Sequence, residues 1–372
     1  MEGNAKNEHV KVVWDDADVR SVYPDIAQVK ASRSEVMLFF GRISESRSQP
    51  NERRADLIER VVLNPYRAKL LAAQLNRSIR DFDAARVYTT IEPTPPMDPP
   101  PFESDNGRRT VDMVFGFLKE KNIQAAFEHS FKMTEDKLLD KRFLLGFDKR
   151  TIRENPDLEL VTLCRQIGMP EDFLTAYQEK LPASHIVGFG FGEGEGVFAV
   201  KAYLEFEQRF FRAFHSRGGR ADPYVSHLGF KWDAADHAKK VLTRYTCHPG
   251  TASGEAIKRL SNYFDNEKEA GPFESVRKIL ETASRAPGGK RFQFLEVTEE
   301  GSQRSSFDIN LYGAGLNLGD INRLLLDIAR HFSLPHEPFQ RLCETHKDHV
   351  LGHLAGGRDR NGKDFVTVYS GE

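Results

Sequence analysis

Four times in the second half of this chain, two apolar runs flank a turn, and the second run of each pair carries a tyrosine. The pairs are HIVGFGF with VFAVKAYLEF, YVSHLGFKW with VLTRYTC, RFQFLEVT with SFDINLYG, and HVLGHLAGG with FVTVYS. Runs rich in β-branched and aromatic residues around a turn read as β-hairpins. Self-similarity at this scale constrains a fold more than any single motif does. The recurring tyrosines are Tyr203, Tyr245, Tyr312 and Tyr369. Side chains alternate across a strand, so Lys201, Thr243, Asn310 and Thr367, two positions earlier, share the tyrosine face. Three of the first strands also carry a histidine near glycine: His185, His227 and His353.

Helical stretches separate the later hairpins. SGEAIKRLSNYF and FESVRKILETAS lie between the second and third, and LGDINRLLLDIARHF and EPFQRLCETHKD between the third and fourth. Leu318, Ile321, Leu324, Leu325, Ile328 and Phe332 make an amphipathic stripe on one of these. The unit is therefore two strands followed by two helices. Helices covering one face of an antiparallel sheet leave the other to line an interior, and closing the sheet removes its edges. The expected class is α+β: an antiparallel barrel-like sheet of repeated hairpins ringed by helix pairs, with a small N-terminal βββα module.

That module occupies residues 1–90. IAQVKAS and EVMLFFGRIS read as a hairpin, DLIERVVL as a further strand, and Asn64-Pro65 opens a helix with Ala68, Leu71, Leu75 and Ile79 at helical spacing. Residues 91–107 are dense in proline, which fixes φ and removes donors, so they read as an extended linker. Residues 108–372 then form the larger domain. Its first part, 108–180, reads mostly as helices: VDMVFGFLKEK, EDKLLDKRFLLGF, LELVTLCRQIG, and FLTAYQEKL after Met169-Pro170.

Composition removes several classes of function. With 53 basic and 55 acidic residues there is no global pull toward nucleic acid or anionic lipid. No apolar run approaches a bilayer span. Cys164, Cys247 and Cys343 are far apart and form no C-x-x-C, which fits a reducing cytoplasm. GFGFGEGEG and GGRDRNGKD lack the spacing and following helix of a phosphate loop, and read as hairpin turns. There is no Gly-x-Ser-x-Gly elbow, His-Glu-x-x-His or Walker loop. Trp232 reads as a core or rim aromatic, with Lys231 and Asp233 pointing the other way.

Two resemblances extend this reading. Tyr23-Pro24-Asp25, Phe39-Phe40-Gly41-Arg42-Ile43 and Leu63-Asn64-Pro65, followed by Ala68 to Leu75, resemble a small bacterial domain family of unknown function over residues 20–86. The strand–strand–helix–helix repeat and Val200-Lys201-Ala202-Tyr203 resemble the αββα (PT-barrel) aromatic prenyltransferases. Those enzymes have five hairpins, where four are legible here. The resemblance implies a cavity in which basic residues hold an isoprenoid diphosphate and tyrosines shield an allylic cation. Asp15-Asp16-Ala17-Asp18 is the nearest thing to an aspartate-rich metal motif, and it lies in the other module.

On this reading Lys201 neutralises a diphosphate, helped by Lys231 or Arg244. Tyr203, Tyr245, Tyr312 and Tyr369, with Asn310 and Thr367, line the substrate site, and His185, His227 and His353 are candidates for acid–base work. No resident metal is expected, although Mg2+ could accompany a diphosphate. The expected partner is a small apolar or diphosphate substrate, with a peptide as an alternative acceptor, in natural-product or peptide modification. A second reading stays open: a non-catalytic scaffold that recognises a protein partner through the N-terminal module. The tyrosines and Lys201 equally admit packing and solvent-facing roles.

Overall fold

The computed structural model describes residues 24, 26–32, 35–43, 55–83, 102–194, 196–206, 223–264, 271–286, 288–289 and 291–371. The chain divides into two compact units, Met1–Ile79 and Arg80–Glu372.

The first unit has the expected order. Strands β1 (Ile26–Ala31), β2 (Val36–Ile43) and β3 (Ala55–Leu63) form an antiparallel sheet, followed by helix α1 (Pro65–Asp83). Pro65 takes the first helical position, where a missing N–H costs nothing, and the Asn64 side chain accepts the Arg67 N–H at 2.8 Å. The proline-dense stretch as far as Pro101 and the Asp15-Asp16-Ala17-Asp18 cluster lie outside the described residues.

The second unit begins with helix α2 (Asp105–Glu120), then β4 (Ala126–Thr134), β5 (Lys137–Leu139) and β6 (Arg142–Asp148), then α3 (Pro156–Gln166) and α4 (Glu171–Lys180). Next come β7 (Ile186–Gly194), β8 (Val197–Glu205), β9 (Tyr224–Asp233) and β10 (Lys240–Ala252). Helices α5 (Ser253–Leu260) and α6 (Phe273–Arg285) precede β11 (Arg291–Glu299) and β12 (Ser305–Asn310). Helices α7 (Asn322–His331) and α8 (His336–Thr345) precede β13 (Val350–Arg358) and β14 (Asp364–Gly371). The sheet runs β14-β13-β12-β11-β10-β9-β8-β7-β6-β4, and β14 pairs back onto β4, closing a ten-stranded antiparallel barrel with β5 on the flank of β4.

The fifth hairpin, β4 with β6, is therefore present, and it corrects the helical reading of 108–180. EDKLLDKRFLLGF is not a helix but β5 and β6. The true period is two: Phe127, Phe131 and Met133 pack into the helix-side cores, while Glu128, Ser130 and Lys132 alternate with them. Asp136 takes the left-handed conformation (φ 59°), which breaks any helix through Glu135-Asp136 and turns β4 into β5.

Residues 102–107 also sit on the barrel rather than in the linker. Phe102 is buried with ring centroids 5.8 Å from Phe143 and 5.0 Å from Phe198. Ser104 caps α2 by accepting the Gly107 N–H, and Glu193 accepts the N–H groups of Glu103 and Ser104 at 2.7 Å each.

The hydrophobic core is a shell between barrel and helices, in two arcs. One packs α2, α3 and α4 against β6 to β9, with Trp232 fully buried. The other packs α5 to α8 against β11 to β14 and β4. Burying such aromatic and aliphatic side chains contributes roughly 1.5–3 kcal/mol each. The opposite faces of the barrel strands are left to the interior, where charged and polar side chains mix with tyrosines and a small apolar cluster of Cys247, Leu295 and Val297.

Candidate active site inside the barrel

The hairpin turns lie at one end of the barrel, and several interior positions in that half carry basic side chains. Lys132 comes from β4, Arg142 from β6, Lys201 from β8 and Lys231 from β9; Arg304 precedes β12. They line one cavity together with Tyr203, Gly229, Thr243, Tyr245, Asp308, Phe365, Thr367 and Tyr369. Lys201 and Lys231 stand directly opposite each other in the β8–β9 register. Like charges in that relation destabilise a sheet.

The counter-charge is small. Glu299 accepts Arg304 Nη1 at 2.6 Å and Arg360 Nη2 at 3.1 Å. Burial alone would raise its carboxyl, but Arg304, Arg360 and Lys231 hold it below the ordinary range. The lysines go the other way. Burial, reinforced by Arg142 and the neighbouring cations, pushes Lys132 down to about 7, Lys231 to about 8, and Lys201 well below its usual value. Lys132 Nζ lies 4.4 Å from the Phe365 ring, and the Arg304 guanidinium 5.4 Å.

Beneath the basic tier three tyrosines form a collar. Tyr203, Tyr245 and Tyr369 line both the basic cavity and a narrower one below it. Tyr203 and Tyr245 meet edge-on at 6.2 Å. Burial, first of all, raises the hydroxyl pKa of each. Two interior glycines make room for the collar. A Cβ on Gly229 would lie 3.0 Å from the Tyr203 ring, and one on Gly190 3.3 Å. β7 there reads Gly188-Phe189-Gly190-Phe191-Gly192, with the phenylalanines in the helix-side core, and a Cβ on Gly192 would lie 3.2 Å from the Arg142 side chain rather than against the collar.

The floor holds Glu128, His227, Asp308 and His353 with Leu144 and Leu295. Asp308 Oδ1 meets His353 Nδ1 at 2.7 Å, and the Tyr312 hydroxyl donates to Glu128 at 2.6 Å. His227 has Ser226 Oγ on Nδ1 at 2.7 Å and Glu205 3.5 Å from Nε2.

Of the residues singled out from sequence, Lys201, Tyr203, Lys231, Tyr245, Thr367 and Tyr369 meet around the basic cavity, and His227 and His353 meet below it. Others do not line it. Arg244 lies between two inward residues, Thr243 and Tyr245, so it points outward, half exposed, to Glu300 at 3.2 Å. Asn310 is buried and accepts the Tyr312 N–H. Tyr312 sits past the end of β12, in a short 3-10 turn, rather than on the strand, and meets the floor at Glu128 and, at a ring distance of 5.9 Å, His353. His185 is buried beside Glu205 and Lys149 through its backbone, away from the cavity lining. Lys132, Arg142, Glu128, Asp308 and Arg304 are cavity residues that sequence reasoning missed. The alternation of FEHSFKM could have found those on β4.

Among the described residues, no group of three or more His, Cys, Asp or Glu is placed to hold a metal, and no helix is long and apolar enough to cross a membrane.

Residues 1–92 match a family described as a protein of unknown function, DUF3467. No curated protein matches the chain. Among solved structures, the chain is similar to 5-dimethylallyltryptophan synthase from Streptomyces coelicolor, with 15% identity, TM-score 0.46, 71% of this chain and 91% of that one covered. It is also similar to the apo form of the prenyltransferase PriB, with 14% identity, TM-score 0.48, and coverage of 78% and 93%. A third is 6-dimethylallyltryptophan synthase from Micromonospora olivasterospora, with 14% identity, TM-score 0.42, and coverage of 66% and 81%.

Proposed function

We propose that the barrel is a transferase that moves an isoprenoid group from its diphosphate to an acceptor held on the cavity floor. One observation carries the reading: five basic side chains converge inside a closed barrel, two of them lysines directly opposed, with far too little carboxylate to balance them. Such a cluster is costly when empty and is matched by a polyanion.

The arrangement divides the labour along the barrel axis. Lys132, Arg142, Lys201, Lys231 and Arg304 would surround the diphosphate and stabilise its growing charge as the C1–O bond breaks. The collar of Tyr203, Tyr245 and Tyr369 would present π faces to the allylic cation and keep water from it. The acceptor carbon or heteroatom would then bond to C1 and lose a proton to Glu128 on the floor, beside His353. Thr243 and Thr367, on the collar strands, offer hydroxyls to the phosphate oxygens. A Mg2+ ion would enter this scheme on the diphosphate itself. Because side-chain cations supply the charge, turnover should persist in EDTA.

The test uses the full chain with dimethylallyl diphosphate and a panel of small aromatic acceptors and peptides, scored by release of inorganic diphosphate and by product mass. Lys201→Ala should abolish turnover with the circular dichroism spectrum intact. Full activity in that variant sinks the assignment. Tight diphosphate retention without turnover on any acceptor would favour a binding protein.

A further inference from the structure

Below the collar, four side chains from three parts of the chain, Glu128, Asp308 with Tyr312, and His353, gather into one polar group. Asp308 of β12 holds His353 of β13 at 2.7 Å through Nδ1, and His353 Nε2 lies 4.0 Å from Glu128 Oε1 of β4. The Tyr312 hydroxyl donates to that same Glu128 oxygen at 2.6 Å. The Glu128 and His353 side chains are 2% and 5% exposed, so bulk water does not stabilise their charges.

The backbone is shaped to allow this contact. β13 breaks its register with β14 between Leu351 and His353, and a Cβ on the intervening Gly352 would lie 2.5 Å from the Tyr312 ring and hydroxyl. Glycine there lets Tyr312 lie across β13 to reach Glu128.

The chemistry needs such an arrangement. Burial, with Asp308 adding to it, holds the Glu128 carboxyl above its ordinary range, and His353 and Tyr312 are the two groups that pull it back toward the carboxylate. A neutral acid could not take the acceptor's proton. Among the groups facing His353 are Asp308, Glu128, Tyr312 and, at a ring distance of 6.0 Å, Tyr369.

We infer that Asp308 and Tyr312 are positioning residues: Asp308 holds His353 as an imidazolium with Nε2 toward Glu128, and Tyr312 fixes the carboxylate, so the floor presents an ionised base. The use of that base rests on the transferase reading, but the charge state does not, and it is measured without substrate. In the full chain labelled with 15N-histidine, the signal missing from His353→Gln identifies His353. At pH 7 it should be doubly protonated in the wild type and neutral in Asp308→Asn. In protein labelled with 13C at the glutamate carboxyl, Tyr312→Phe should shift the Glu128 signal toward the acid form, and Gly352→Ala should reproduce that shift by displacing the ring. A neutral His353 in the wild type overturns the inference, even if every variant fails to fold, and so does an unchanged imidazolium in a folded Asp308→Asn. An unmoved Glu128 signal in Tyr312→Phe removes Tyr312 from it. Where turnover is found, Tyr312→Phe should lower kcat about tenfold to a hundredfold, with KM for dimethylallyl diphosphate unchanged.

Discussion

At the scale of single residues, the opposed pair Lys201 and Lys231 carries most of the argument. A buried cation among cations weakens the fold when nothing is bound. Replacing Lys231 with Met keeps the stem and removes the charge. The expected outcome is a more stable apo protein, by about 1 kcal/mol or more, with calorimetric binding of inorganic diphosphate weakened at least about tenfold. A variant that loses stability and keeps binding would contradict the role. Lys201 was legible because strand parity put it on the face of Tyr203. Arg244 fails by the same parity, since it alternates with Thr243 and Tyr245. Arg304 was illegible for another reason: it precedes β12 in a segment that reads as a turn, and it is the β11–β12 hairpin that folds it back against Glu299.

At the scale of elements, the four tyrosine hairpins and their helix pairs were legible because their turns are marked by glycine and charge. The β4–β6 hairpin was not, because β5 and its short turns place Leu138, Leu139, Phe143 and Leu144 at spacings that mimic a helix. Missing it hid Lys132, Arg142 and Glu128 together, so the basic set looked thinner than it is. The same region fixes the edge of the barrel unit. Phe102 packs on Phe143 and Phe198 just before α2, so Phe102→Ala should cost roughly 3–5 kcal/mol, read as a lower urea midpoint of the full chain. A loss below about 1 kcal/mol would mean that this segment is not anchored to the barrel.

At the scale of the whole molecule, the barrel stores repulsion that an anion can release, and pH controls how much. The folded-state values of Lys132 and Lys231, about 7 and about 8, lie below those of an unfolded chain. Between those values and roughly pH 10.4 the unfolded state binds more protons, so stability rises with pH across that window and levels off below it. A bound diphosphate reverses the preference by favouring the charged lysines, so binding takes up protons. Its stabilising effect should therefore be largest at pH 6–7 and should fade as the lysines lose their protons. Thermal denaturation at roughly pH 6.5 and roughly pH 9, with and without saturating inorganic diphosphate, checks both signs. The apo Tm should rise between the two, and the shift caused by diphosphate should shrink. The anion's own ionisation does not produce that trend, because diphosphate gains negative charge as pH rises and would by itself bind more tightly. An equal or larger diphosphate shift at pH 9 would place the anion somewhere other than among these lysines.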